Sequence, residues 1–474
     1  MSRARPLGRR HVVAVALGLP LGAGVFALPR GVENLGGPAT PIAYLVGTLA
    51  LSAVATAYAV YLSSPLATRD GLLYLAVSRT WGSRRLGFLV AWPAVGAYAA
   101  ILAALVAALG RSFAGVSPLS PTVAALTVLV AVVVVHALGP AVAARCQLLV
   151  TGPLLLALLV MAAVGLTAVA PDNFAPLFPT PTLRTNPLGA IRTTTVATLF
   201  GFVGFEAGAA LSPAVRDPRR TTPRALLVGA VVAGLVAAVA ATVALGVIPW
   251  TRLVFATAPF ADAAASGLGV QTATLLGPGT LVATFGAALA TAWLPTRTLR
   301  GLAETVPGLD RETPPGVPDP ALAVTGALAG AVVALDAVGP ALYLALPGVF
   351  IGYAALSLSV AVLPSLRPAL SSRCRLSLPP AALAGVGLLG ALVAGSVLAA
   401  TLTRDPATSL GYTRFAPALA VVDGAVLVRD PLSSVVPALL LWELAGVVVL
   451  AVAADYRADR GVERPPLDTA YEDE

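Results

Sequence analysis

One carboxylate, Glu206, lies inside an apolar run punctuated by glycine: Gly201 Phe202 Val203 Gly204 Phe205 Glu206. Far upstream, Gly22 Ala23 Gly24 Val25 Phe26 Ala27 Leu28 Pro29 places two close glycines in an equally apolar setting. Glycine weakens a helix and lets its backbone open, and lipid tolerates opened backbone only where it faces a cavity or another part of the protein. N–H groups freed at a half-helix N-terminus, at the positive end of the dipole, suit a carboxylate ligand. Glu206 offers three roles: taking a proton, recognising an amine, or bracing the opened backbone. Ionisable groups at membrane depth are costly and usually functional. Phe202 and Phe205 flank the break. Closing over a ligand and plain interhelical packing both suit them; gating is slightly preferred for Phe202, whose direction position alone does not give. Close packing through small residues is the other reading of either glycine pair taken alone.

Such groups need elements to hold them, and composition says what kind. The chain has 474 residues, 58% hydrophobic and 11% charged, with a mean hydropathy of +0.89. That is more apolar surface than a water-soluble core can bury, so the lipid bilayer is the expected solvent and a soluble enzyme is excluded. Charge-free runs such as Val123 to Val135 and Leu148 to Val169 approach or exceed the roughly 20 residues that cross a bilayer as a helix. Apolar windows separated by Pro, Gly and charge predict an all-α integral membrane protein of about twelve transmembrane helices. They fall near 11–30, 40–62, 87–110, 121–138, 148–170, 191–212, 224–248, 276–295, 320–336, 340–363, 380–402 and 435–455. The two glycine breaks then occupy equivalent places in spans one and six, where a five-plus-five inverted repeat puts its discontinuous helices. Paired interruptions of this kind point to a transporter binding site.

The formal net charge of +8 comes from arginine alone, since no lysine is present. The arginines form short clusters between spans rather than one basic face, which excludes nucleic acid as a partner. Arg3, Arg5, Arg9, Arg10, Arg69, Arg79, Arg84, Arg85, Arg216, Arg219, Arg220, Arg224, Arg367, Arg373 and Arg375 fall on one side of the predicted spans. By the positive-inside rule that side is the cytoplasm, and both termini join it. The basic start followed by an apolar stretch resembles a signal peptide, but without a small-residue cleavage site it reads as the first span. The acidic end, Tyr471 Glu472 Asp473 Glu474, reads as a disordered tail.

Cys146 and Cys374 are too far apart for a disulfide framework or a metal motif, and no metal or cofactor is expected. The only histidines, His11 and His136, fall near span ends without catalytic partners, so they read as interfacial and no enzyme is expected. Asp336 and Glu443 also fall near span ends. A membrane sensor would carry a signalling domain, and none is visible. Oligomeric state is not legible.

Gly22 to Pro29 resembles the first-helix signature of the amino acid/polyamine/organocation (APC) permeases. Tyr74 to Trp92 resembles the approach to their third helix, Phe200 to Leu226 their sixth helix and its basic loop, and Pro295 Thr296 Arg297 the end of their eighth. The resemblance covers about the first 360 residues. It implies alternating-access transport of amino acids across the plasma membrane, with polyamines or other organic cations as alternative substrates. The implied organisation is a cytoplasmic N-terminus (1–10), a ten-helix core (11–363), two appended helices (364–455) with a long external loop at 404–434, and a cytoplasmic tail (456–474). Backbone of Gly22, Ala23, Gly24 and Val25 would hold the substrate carboxylate, and carbonyls of Phe202, Val203 and Gly204 its ammonium. With one carboxylate to offer a polycation, Glu206, the pocket favours a neutral or apolar amino acid. Some relatives carry a fifth-helix lysine in place of a sodium ion; here Gln147 and Thr151 lead to Leu154 instead. The coupling ion is thus H+ or Na+, and Thr284 and Thr291 are candidate sodium ligands.

Overall fold

The computed structural model describes residues 7–25, 37–115, 117–178, 187–253, 262–263, 265–266, 271–402, 431–460 and 467. Its principal helices are α1 (Arg9–Leu19), α2 (Thr40–Leu62), α3 (Leu72–Trp81), α4 (Arg84–Ala114), α5 (Pro121–Ala137), α6 (Pro140–Thr167) and α7 (Pro187–Leu199). They continue with α8 (Pro218–Val247), α9 (Thr272–Gly301), α10 (Pro320–Ala334), α11 (Ala345–Leu366), α12 (Pro380–Leu402) and α13 (Pro431–Arg460). Among the described residues no strand forms; one isolated parallel bridge joins Leu7 to Val215.

Local chemistry sets several helix starts. Proline stands in the first turn of α2, α5, α6, α8 and α10, where its missing N–H costs nothing and its fixed φ suits the helix. Ser83, Ser120 and Asp319 cap α4, α5 and α10 by accepting from the N–H of Leu86, Val123 and Leu322 at 3.2, 3.3 and 2.9 Å. Each such cap contributes about 1 kcal/mol.

Among the described residues, seven helical stretches are long and apolar enough to cross a membrane, and α5 and α10 are shorter apolar helices. The helices standing where spans one and six are expected fall short for a physical reason. At 11 and 13 residues they rise only about 16 and 20 Å, against about 30 Å of hydrocarbon. Both end in the glycine-punctuated segments.

Small residues let the helices approach closely. A Cβ on Gly348 of α11 would strike the Pro93 carbonyl of α4, and one on Gly234 of α8 would strike Thr48 of α2. The last helix docks on α4 through a reciprocal tryptophan pair. Trp92 and Trp442 stack at 5.0 Å, and each indole N–H donates to the other's carbonyl, at 2.8 and 2.9 Å.

The loops rich in arginine gather at one end. Arg216 N–H donates to the Leu7 carbonyl, Arg219 reaches the carbonyls of Ser63 and Arg373, and Arg375 pairs with Asp217 at 3.0 Å. Arg457 of α13 donates to the carbonyls of Ala303, Glu304 and Thr305 just beyond α9.

Two expectations change. Glu443 is not at a span end; it lies near the middle of the 30-residue α13, with Oε2 buried and without a hydrogen-bond partner. His136 is not a bare interfacial residue. Its Nε2 lies 3.0 Å from the Leu289 carbonyl and its ring meets Trp293 edge-on at 4.7 Å, because α5 packs beside α9. Residues 1–6 of the N-terminus, Phe26 to Pro29, 404–430 of the long loop, and 461–466 and 468–474 of the tail lie outside the described residues.

Candidate functional site

After Leu19 the first helix does not simply end: Pro20–Val25 continues as a π-helical turn, a form common at functional sites. Gly22 therefore presses against α9. A Cβ there would fall on the Ala283 carbonyl and lie 2.8 Å from the Ala287 Cβ, so only glycine fits this approach. Ala23, Gly24 and Val25 belong to the same turn.

The second break is sharper. α7 gives way to a 3-10 turn, Phe200–Phe202, and helix resumes only at Ala207–Ala210. Gly204 adopts φ 97°, a left-handed conformation that glycine takes without steric cost. A Cβ on Gly204 would collide with Leu19 at the end of α1. The second break is thus packed through Gly204 against the end of α1, whereas Gly22 of the first break is packed against α9.

Glu206 lies within this second break and is 4% exposed. Its Oε2 accepts from the Gly204 N–H at 3.1 Å and from the Tyr353 hydroxyl of α11 at 2.6 Å. Its Oε1 is buried without a hydrogen-bond partner. The carboxylate therefore does two things: one oxygen ties the broken backbone to α11, and the other is left over. An unmatched carboxylate oxygen in a buried setting is costly and is satisfied by a proton, a water or a ligand amine.

Aromatic rings enclose it. Phe205 lies 5.8 Å from both Tyr58 of α2 and Tyr353, and these tyrosines meet edge-on at 6.0 Å. Phe202 packs away from this cluster, edge-on to Tyr44 of α2 at 6.4 Å. Both phenylalanines and Val203 are buried. Of the two gate candidates, Phe205 is the one placed against the tyrosines that face Glu206.

A cavity of about 50 Å3 is lined by Glu206, Tyr58, Tyr98 and Tyr353 and also by Asp70 and Arg297, room for a few waters. The Tyr98 hydroxyl is buried there without a partner. Asp70 pairs with Arg297 and Arg300 at 2.9 Å each, and Arg300 also holds Asp319 at 3.0 Å. The residues missed from sequence are Tyr353, Tyr58, Tyr98 and Asp70. A tyrosine inside an otherwise apolar span was the available signal for Tyr353.

A second polar group lies where α1, α6 and α9 meet. Gln147 donates from Nε2 to Thr151 at 2.8 Å and to the Gly286 carbonyl at 3.1 Å, while its Oε1 is buried without a partner. Leu154 is buried one turn further along α6. Thr284 and Thr291 on α9 each donate to the carbonyl four residues earlier, at 2.7 Å. They are two turns apart, about 10 Å along the axis, so no single cation with oxygen ligands at roughly 2.5 Å touches both hydroxyls.

This is an all-helical, multi-pass membrane protein in which the second of two broken helices packs on the end of the first and carries the buried carboxylate of Glu206. Residues 7–306, more than half the chain and including both breaks, match the family described as amino acid permease. The chain belongs to that family, a group of membrane transporters within the APC superfamily.

Proposed function

We propose that the protein performs secondary active transport of a neutral or apolar amino acid across the plasma membrane by alternating access, with both termini cytoplasmic. The observation that carries this reading is the meeting of the π-helical turn of span one with the Gly204 break of span six, beside the half-used carboxylate of Glu206. In this reading the backbone of Gly22, Ala23, Gly24 and Val25 holds the substrate carboxylate, and the carbonyls of Phe202, Val203 and Gly204 hold its ammonium. Fixed dipoles meet both charges of a zwitterion without a permanent buried charge of their own. Phe202 and Phe205 close over the substrate, with Phe205 moving against Tyr58 and Tyr353.

The coupling ion in this reading is a proton, carried by Glu206. One oxygen is already committed to Gly204 and Tyr353, and a proton on the other removes the charge that burial penalises. Thr284 and Thr291 belong to the competing sodium reading, which needs two separate sites or additional carbonyls around one of them.

Uptake of a radiolabelled amino acid mixture into proteoliposomes, under imposed proton and sodium gradients in turn, tests the proposal. Saturable uptake by wild type, its loss in Gly24→Leu, and loss of the proton-gradient dependence in Glu206→Gln are expected. Uptake driven by sodium alone would overturn the proton assignment. A folded wild type that takes up organic cations but no amino acid would overturn the substrate class, and one that moves neither would point to a non-transporting sensor.

A further inference from the structure

A groove of about 490 Å3 opens between α1 and α6 on the outside of the helix assembly, away from the Glu206 cavity. Val13, Ala14 and Leu17 line it from α1, at the spacing of a single helix face. Leu148, Gly152 and Leu155 line it from α6. A Cβ on Gly152 would meet nothing within 4 Å, so the glycine widens the groove rather than serving a helix contact. Thr151, the one hydroxyl in the wall, already accepts from Gln147.

One end of this apolar channel is strongly cationic. Arg9 and Arg10 line it, and Arg145 stands on α6 less than one turn before Leu148. All three arginines are exposed, and none has a carboxylate partner among the described residues. This contrasts with Arg69, Arg79 and Arg84, which surround Glu304. The apolar walls run about 10 Å beyond Arg10 on α1 and about 15 Å beyond Arg145 on α6, and the helices lie in a bilayer. The chemistry that fits is an anionic headgroup joined to a hydrocarbon chain: guanidinium forks match phosphate geometry, and the walls match an acyl chain. A soluble anion would leave the groove unfilled, and a zwitterionic lipid would bring a cation of its own beside the three guanidiniums.

We propose that the groove between α1 and α6 binds one anionic phospholipid, with its phosphate on Arg9, Arg10 and Arg145 and an acyl chain along Val13, Leu17, Leu148 and Leu155. The lipid joins the short first helix, which ends at the π-helical turn, to α6.

Native mass spectrometry of the full-length protein with dioleoyl phosphatidylglycerol or dioleoyl phosphatidylcholine as the probe tests this without reference to transport. Wild type retains one phosphatidylglycerol in preference to phosphatidylcholine. The combined Arg9→Gln, Arg10→Gln, Arg145→Gln variant lowers that affinity at least tenfold. Gly152→Leu, whose Cβ enters open space, does the same by filling the groove. Arg220→Gln, removing another exposed arginine at the same end, leaves binding unchanged. Equal loss in Arg220→Gln would reduce the effect to general surface charge, and unchanged binding in Gly152→Leu would remove the acyl groove; either result overturns the proposal.

Discussion

At the paired helix breaks the protein keeps one carboxylate and gives it one side-chain donor, Tyr353 at 2.6 Å. At the arginine-rich end it does the reverse. Glu304 receives Arg79 through two bonds at 2.6 and 2.7 Å, lies 3.8 Å from both Arg69 and Arg84, and has the Tyr74 hydroxyl at 3.5 Å. Arg79 is itself 2% exposed. One carboxylate is under-supplied with donors and the other is surrounded by them. A carboxylate whose charge is fully matched is fixed and structural, whereas one with an unmatched oxygen is free to exchange a proton or a ligand. The comparison therefore separates a group that holds the fold together from a group available for work, although both are glutamates beside tyrosine hydroxyls.

The largest expected effect tests the structural side. Glu304→Ala leaves the Arg79 guanidinium buried without its partner, a change that costs about 3–5 kcal/mol. Thermal denaturation in detergent is expected to show a large drop in midpoint; a melt within a degree or two of wild type would mean that Arg79 finds water or another acceptor. Next, Gly204→Ala combines a left-handed backbone cost of about 1–2 kcal/mol with displacement of Leu19. It is expected to abolish uptake while the protein still folds, and full uptake would show that the two breaks need not touch.

Tyr353→Phe sharpens the comparison from the functional side. It removes the 2.6 Å bond and leaves Glu206 with the Gly204 N–H alone, a loss of about 1.5–3 kcal/mol for a bond to a charged group and less if Glu206 is neutral. The expected result is altered proton dependence of uptake with a smaller stability loss than in Glu304→Ala. A stability loss equal to that of Glu304→Ala would erase the distinction. The smallest effect belongs to Arg375→Gln. Its pair with Asp217 is about half exposed on both sides, and such pairs are worth about 0–1 kcal/mol. A melt shifted by more than a few degrees would show that this outer pair works as part of a network.

Residue types and spacing determined the fold class, because period and length are local properties. Charge-free runs require a lipid setting whatever their neighbours, proline in the first turn starts a helix without tertiary help, and glycines at 22, 24, 201 and 204 weaken a helix wherever it lies. Glu206 stood out for the same reason: a carboxylate in an apolar run is conspicuous in one dimension. The common end of the arginine-rich loops was also legible, since segments around Leu7, Ser63, Arg216 to Arg219 and Arg375 do gather there.

Tertiary structure decided everything that depends on partners distant along the chain. Tyr353 and Glu206 are 147 residues apart, and Arg79 and Glu304 are 225 apart. Nothing local marks one tyrosine or arginine among several as the partner. The middle position of Glu443 in α13 and the contact of His136 with α9 were misread for the same reason: the end of a helix and the face a residue presents are set by packing, not by composition. The groove between α1 and α6 is legible only in three dimensions as well, because it consists of the space two unrelated segments leave between them.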